Sequence, residues 1–387
     1  MHIINRTVLI LSIVSLLADI ASEMLYPVIP VYLKEIGFTV VWIGMLEGIA
    51  SFTAGISKGY FGKLSDEKGV RLPFVKLGYF LSALSKPLMA TFTYPLWIFF
   101  VRTIDRLGKG VRTAARDALL SQQGTKETKG RVFGFHRAMD TVGAAIGPTL
   151  ALLFLFFYPG QYTTIFYLAF IPGILSVLLI FFLNEKKQPV STLANGNFFS
   201  FFRYWKIADP EYRKAVTGLL LFTLFNSSDI FLLLKTKEIT GDDRITIAAY
   251  IFYNLVYAAA SYPLGKLADK FSFKNVILLG FALFAIVYGG FAFTSSTAVI
   301  FILFFVYGVY AAATEGTIKA WITNLSHKEN TATAIGFYTS CESVCTLLAS
   351  IIAGFIWSSA GSVYTFGITS VVTIFVLIYF LLKFRKN

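Results

Sequence analysis

The chain has 387 residues, of which 14% are charged and 56% hydrophobic, with 40 Phe; a soluble domain carries about 25% charged residues. Apolar runs of about 20 residues recur from end to end, long enough to cross a bilayer core. Composition therefore excludes a soluble globular domain and points to an all-α polytopic membrane protein. The net charge of +13 fits Lys and Arg gathered on cytoplasmic turns, and no nucleic-acid partner is expected.

Polar turns cut the chain into twelve expected spans: 8–33, 41–61, 73–92, 96–121, 131–157, 163–183, 214–235, 245–264, 275–294, 298–325, 331–357 and 363–383. The first is too long for a cleaved leader and lacks a small-residue cleavage site. It carries Asp19, Glu23 and two prolines and reads as a working helix. The fourth contains RTIDRLGKGVRTAARDALL, where Arg102, Asp105, Arg106, Lys109, Arg112, Arg116 and Asp117 are all charged. On a helix these positions fall within one arc of about 140°, with Phe100, Ile104, Leu107, Val111, Ala115 and Leu119 on the other side. A charged face of this kind must meet water or counter-charges, because a charge at the bilayer centre costs roughly 2.5–3.5 kcal/mol on insertion scales.

Basic residues orient the set. Turn 62–76 holds Lys63, Lys68, Arg71 and Lys76, and turn 265–274 holds Lys266, Lys270 and Lys274. The segment 184–214 adds Lys186, Lys187, Arg203, Lys206, Arg213 and Lys214, and the tail adds Lys383, Arg385 and Lys386. With twelve spans these all lie on one side, facing the nearly uncharged turns YPGQYT, SSTA and SSAGS. Both termini are then expected in the cytoplasm. Residues 184–212 form the only long connection, and FFSFFRYWKIADP within it suggests an amphipathic helix on the cytoplasmic membrane face. The expected organisation is a bundle over 1–183, a linker over 184–212 and a bundle over 213–387.

The two halves repeat at a fixed offset. Lys34-Glu35-Ile36 returns as Lys237-Glu238-Ile239, and Gly62-Lys63-Leu64-Ser65-Asp66 returns as Gly265-Lys266-Leu267-Ala268-Asp269, both 203 residues later. Gly134-Phe135 and Asp140 match Gly336-Phe337 and Glu342 at an offset of 202. A duplicated six-helix unit follows. Shifted by 203, the charged stretch lands on FVYGVYAAATEGTIKAWIT, an apolar span, so the fourth run is itself a membrane helix. Cys341 and Cys345, four residues apart, read as packing residues; no disulfide framework or metal cluster is expected.

Two six-helix halves with a basic central connection resemble the major facilitator superfamily. The turn from Gly62 through Asp66 and Lys68 to Arg71 resembles that family's motif between helices 2 and 3. Its second copy, Gly265, Asp269 and Lys270, degrades after the acid. The resemblance implies that these seven residues gate the cytoplasmic side. Arg102 with Gly108 resembles the fourth-helix motif, although Asp105 and Arg106 stand where Gln and Gly are usual. Gly143-Ala-Ala-Ile-Gly147-Pro148 resembles the fifth-helix motif of exporters, and small residues there permit close helix packing. SEMLYPVIP, DRLGKGVRTAARDALL and FGFHRAMDTVGAAIGP look like a bacterial branch of unassigned substrate. The resemblance implies two pseudo-symmetric bundles around a central cavity lined by helices 1, 4, 7 and 10. It implies a bacterial inner membrane location, a monomer, a small-molecule substrate and no cofactor.

Ionisable residues inside a membrane are functional candidates by default. Asp19 and Glu23 are four residues apart on one face, and two carboxylates so placed repel, which suits one of them to reversible protonation. Asp105, Asp140 and His136 complete the candidates for handling protons. For the substrate cavity the candidates are Glu23, Tyr26, Arg102, Asp105, Arg106, Lys109, Arg112, Arg137, Asn226, Asp229, Tyr310, Glu315 and Glu342. Acids and bases are about equal in number, which argues for paired networks and against reading the fourth helix simply as an anion site. The expected activity is secondary active transport of a small organic molecule by alternating access, coupled to protons, with export by antiport preferred. The alternatives are proton-coupled uptake of an anion such as a carboxylate or carboxylate-type siderophore, and a non-transporting membrane sensor or scaffold. The sequence holds no HExxH, GxSxG or P-loop, so no enzyme is expected.

Overall fold

The computed structural model describes residues 4–26, 28–38, 40–185 and 197–384. Residues 186–196 of the expected linker, the side chain of Glu47 and the tail cations Arg385 and Lys386 lie outside the described residues. In chain order the helices are α1 (Arg6–Glu23), α2 (Val28–Glu35), α3 (Val40–Lys68), α4 (Leu72–Met89), α5 (Pro95–Ser121), α6 (Lys129–Phe157) and α7 (Tyr162–Ile180). A 3₁₀ turn (Phe198–Arg203) and α8 (Tyr204–Ile207) lead into α9 (Pro210–Thr223) and α10 (Ile230–Thr240). The last five are α11 (Asp243–Phe271), α12 (Phe273–Phe293), α13 (Thr297–Asn324), α14 (Thr331–Ala360) and α15 (Ser362–Lys383).

Each of the twelve expected spans has its helix, with two differences. The first is split into α1 and α2, and the seventh into α9 and α10. Asn226-Ser227-Ser228-Asp229 fills the second break, where short side chains compete with the helix for backbone hydrogen bonds. Among the described residues, seven helices (α6, α7 and α11 to α15) are long and apolar enough to cross a membrane by length and composition alone. The first and seventh spans are broken, and α1 and α5 carry several charges. Large apolar side chains such as Phe156, Phe293, Phe355 and Phe375 are exposed, as lipid-facing residues must be.

The chain divides into two compact units. One comprises Met1–Gly124, Met139–Ile207 and His327–Ser340; the other comprises Thr125–Ala138, Ala208–Ser326 and Cys341–Asn387. The divisions fall within α6 and α14, so the opening turns of each belong to a different unit from the rest of the helix. Within the first unit α5 packs on α3 and α4, and α7 packs on α1 and α4. Within the second, α13 packs on α11 and α12, and α15 packs on α9 and α12. The repeat read in the sequence is thus repeated in the packing.

Close crossings let a charged helix sit inside the first unit. A Cβ at Gly108 of α5 would lie 2.7 Å from the Gly78 carbonyl oxygen of α4, and one at Gly110 would lie 2.6 Å from the Ser57 Cβ of α3. Val111, Ala115 and Leu119 are buried while Phe100 is exposed, so the apolar side of α5 meets neighbouring helices for most of its length. After α7, Phe201 and Tyr204 are buried, whereas Phe199, Phe202 and Ile207 are exposed. Phe201 packs against Gly59 of α3.

Candidate functional site

In the first unit the charged face of α5 is paired. Asp105 Oδ1 accepts from Ser82 Oγ (2.7 Å), Ser85 Oγ (3.2 Å) and Lys86 Nζ (2.7 Å). Its Oδ2 accepts from Arg102 Nη1 (3.2 Å). Asp105 is 6% exposed, Lys86 2% and Arg102 7%, so this is a buried network. One turn of α4 supplies both serines and the lysine, which are the counter-groups the sequence left unidentified. Toward the other end of α5, Arg116 Nε and Nη2 each donate to Asp117 Oδ1 (3.0 Å), and Arg116 Nη1 donates to Ser15 Oγ of α1 (2.9 Å). A solvated helix end would have accounted for Arg116 and Asp117 equally well in sequence, but both are buried.

Arg112 and Lys109 of α5 have no carboxylate at ion-pair distance among the described residues. The guanidinium of Arg112 lies 4.4 Å from the centre of the Tyr79 ring. Arg112 is 3% exposed, and its Nε and Nη1 make no hydrogen bond. Lys109 is exposed and within Coulombic reach of Asp19 and Glu23.

Asp19 and Glu23 are partly buried on α1. The glycines of the exporter-like motif bring α6 against this part of α1. A Cβ at Gly143 would lie 2.6 Å from the Leu16 carbonyl oxygen, and one at Gly147 would lie 2.8 Å from that of Ile20. Asp140, one turn earlier on α6, is within Coulombic reach of Asp19. Among the described residues neither Asp19 nor Glu23 makes a hydrogen bond or salt bridge. Tyr26 is exposed just past the end of α1, Arg106 is partly buried on α5, and Glu342 is partly buried on α14.

The second unit holds a separate polar patch. Asp229 Oδ1 accepts from Tyr307 Oη (2.5 Å) and Oδ2 from Tyr253 Oη (3.2 Å). Asn226 Nδ2 donates to Tyr310 Oη (3.1 Å). Arg137 Nη2 donates to Glu315 Oε2 (2.7 Å), and Arg137 Nε donates to Tyr257 Oη. His136 is buried in the same part of α6. Tyr253 and Tyr307 carry no sequence signal that separates them from the other tyrosines; only the fold brings them to Asp229.

The two motif turns each cap a helix. Asp66 Oδ2 accepts from the Thr333 backbone N–H (2.7 Å) and Thr333 Oγ1 (2.9 Å) at the start of α14, and Oδ1 accepts from Arg71 Nη2 (2.8 Å). A Cβ at Gly62 would lie 2.5 Å from the Ala332 carbonyl oxygen, so glycine is what permits the approach. Glu185 in turn accepts from the backbone N–H groups of Arg71 (2.8 Å) and Leu72 (2.6 Å). In the second copy Asp269 accepts from the N–H groups of Gly130 (2.7 Å) and Arg131 (3.0 Å) at the start of α6, and from Arg131 Nε (2.9 Å). Gly265 packs directly on Gly130. The degraded motif thus keeps its cap, and its basic partner comes from the capped helix instead of the turn. Lys68 and Lys270 lie over the rings of Phe74 and Phe271.

Both acids lie outside the expected spans, which end at 61 and 264. Burial pushes the Asp66 carboxyl up to about 6, while the arginine and N–H donors pull the other way. Replacing Asp269 with Ala should cost about 0.5–2 kcal/mol, the range for losing a helix cap, because Arg131 is 25% exposed and can turn to water. Thermal unfolding in detergent reads this directly.

The sequence matches the family model of the Major Facilitator Superfamily over residues 11–252 and 219–387. Among relatives, it is 34% identical over 360 residues to an uncharacterised MFS-type transporter of Methanocaldococcus jannaschii, covering 92% of this chain and 89% of that one. It is 23% identical to a Lactococcus lactis multi-drug resistance efflux pump PmrA homolog, covering 94% and 91%. The fold is similar to the human organic anion transporter MFSD10, with a TM-score of 0.82, 15% identity, and 97% and 99% of the two chains covered. It is similar also to the E. coli fucose:proton symporter FucP, with a TM-score of 0.80, 13% identity and 98% of each chain covered. The chain belongs to the Major Facilitator Superfamily and is a multi-pass membrane transporter.

Proposed function

We propose that the protein is a proton-coupled secondary active transporter of a small organic molecule, working by alternating access and exporting its substrate by antiport. The observation that carries the proton coupling is the state of Asp19 and Glu23. They sit one helical turn apart, within Coulombic reach of Lys109, yet neither is tied to a cation at ion-pair distance among the described residues. A carboxylate inside the membrane with no fixed cation is free to take up and release a proton. Asp105, by contrast, is held by Lys86 and Arg102 and is read as part of the scaffold. Export is supported by the close α1–α6 crossing at Gly143 and Gly147 and by the similarity to an efflux pump homolog.

The protein is placed by this reading in a bacterial inner membrane, as a monomer with both termini cytoplasmic. The caps at Asp66 and Asp269 are read as the cytoplasmic gate, which opens when α14 and α6 release them. Uptake of an anionic solute is the second reading. Arg112, buried against Tyr79 without a carboxylate partner, favours it.

The sign of coupling tests the direction. Ligands found by thermal shift of the purified protein would be offered to proteoliposomes under an imposed pH gradient. Antiport predicts that the ligand accumulates when the vesicle interior is acidic, because outgoing protons drive it inward. Accumulation only when the interior is alkaline would replace antiport with symport.

A further inference from the structure

The second unit contains a carboxylate with no cation to answer it. Asp229 stands at the break between α9 and α10 and is partly buried. Both of its oxygens are taken by neutral phenols, Tyr307 and Tyr253. Among the described residues no Lys, Arg or His forms a salt bridge with it. Arg137, which belongs to the same unit, is committed to Glu315 and Tyr257. Glu315, the acid that holds Arg137, is itself within Coulombic reach of Asp229. The Glu315 side chain is 48% exposed, so the patch is open on that side.

The walls are aromatic. The rings of Tyr253 and Tyr307 have centroids 5.2 Å apart, those of Tyr307 and Tyr310 are 5.3 Å apart, and Tyr253 stacks with Tyr257 at 6.1 Å. Asn226 adds a carbonyl oxygen, Oδ1, that has no hydrogen-bond partner. A carboxylate with no salt-bridged cation beside a cluster of aromatic rings is what an organic cation requires: the carboxylate supplies the charge and the rings attract the cation through their quadrupoles. Interrupted membrane helices are where transporters place charged ligands.

We propose that this patch binds the ammonium group of an organic cation, with Asp229 as counter-ion and Tyr253, Tyr307 and Tyr310 as its wall. The inference deepens the transport reading by naming the chemistry of one substrate group, and it rests on that reading only for calling the occupant a substrate.

The test uses the purified full-length protein in detergent, with benzyltrimethylammonium as the probe and benzoate and sodium chloride as rivals. Binding is read as a saturable rise in the unfolding midpoint and by equilibrium dialysis of labelled probe. Benzyltrimethylammonium is expected to bind, and Asp229→Asn is expected to weaken it on the order of tenfold or more, the scale of losing one partner of a desolvated charge pair. Glu315→Gln, at an exposed position, should weaken it less and guards against misfolding of the first variant. No binding at millimolar probe would overturn the proposal. So would undiminished binding in both variants, displacement of the probe by benzoate, or an equal shift from sodium alone. Each of these outcomes leaves proton-coupled transport standing, because flux in vesicles is measured separately.

Discussion

Replacing Asp105 with Ala should remove about 3–5 kcal/mol of stability, the range for breaking a buried ion pair from one side. The physical cause is what stays behind. Lys86, 2% exposed, and Arg102, 7% exposed, would keep their charges with no carboxylate to meet them. Ser82 and Ser85 would lose their acceptor in the same step. Removing both ends of the strongest pair should restore much of the loss, because exchanging a whole buried ion pair for apolar groups is often close to neutral. The Asp105→Ala/Lys86→Met variant should therefore unfold at a higher temperature than Asp105→Ala alone. Fluorescence-detected size exclusion after heating reads both. A single variant as stable as the wild type would mean that the α4–α5 network does not hold the first unit together.

The second large effect concerns the proton. If Asp19, Glu23 or Asp140 carries it, the corresponding Asn or Gln variant should lose movement driven by a pH gradient while keeping ligand exchange at equal pH. That split separates coupling from binding, because a damaged binding site would lose both. The close α1–α6 crossing makes Asp19 and Asp140 sensitive to each other, so removing one carboxylate also changes the field at its neighbour. Normal coupling in all three variants would sink the assignment.

The twelve spans and the duplication were legible because they rest on local pattern: apolar length, basic turns and a repeat at one offset. The charged fourth helix was legible as well, since the repeat and its one-sided charge agreed. Its counter-charges were not. Lys86, Ser82 and Ser85 reach Asp105 only once α4 crosses α5 at Gly78 and Gly108, and no pattern within either helix encodes that crossing. The breaks in the first and seventh spans were also hidden, because an averaged hydropathy run does not register a few residues of unwound backbone. In the caps the acids could be read from the motif, but Thr333 lies 267 residues from Asp66. In the second copy the cap survives although the flanking motif degraded, because a cap needs only an acid and free N–H groups. Tyr253 and Tyr307 were lost among 20 tyrosines, and only tertiary structure selects them.

The central claim is that movement of the solute and movement of the proton are one event. Its most direct test is to load proteoliposomes with a bound-verified ligand at equal pH on both sides and report internal pH with a trapped dye. Proton-coupled antiport predicts that ligand leaving the vesicle carries protons inward, so the interior acidifies, and that liposomes without the protein stay flat. A ligand that binds and crosses the membrane while the internal pH does not move would contradict it.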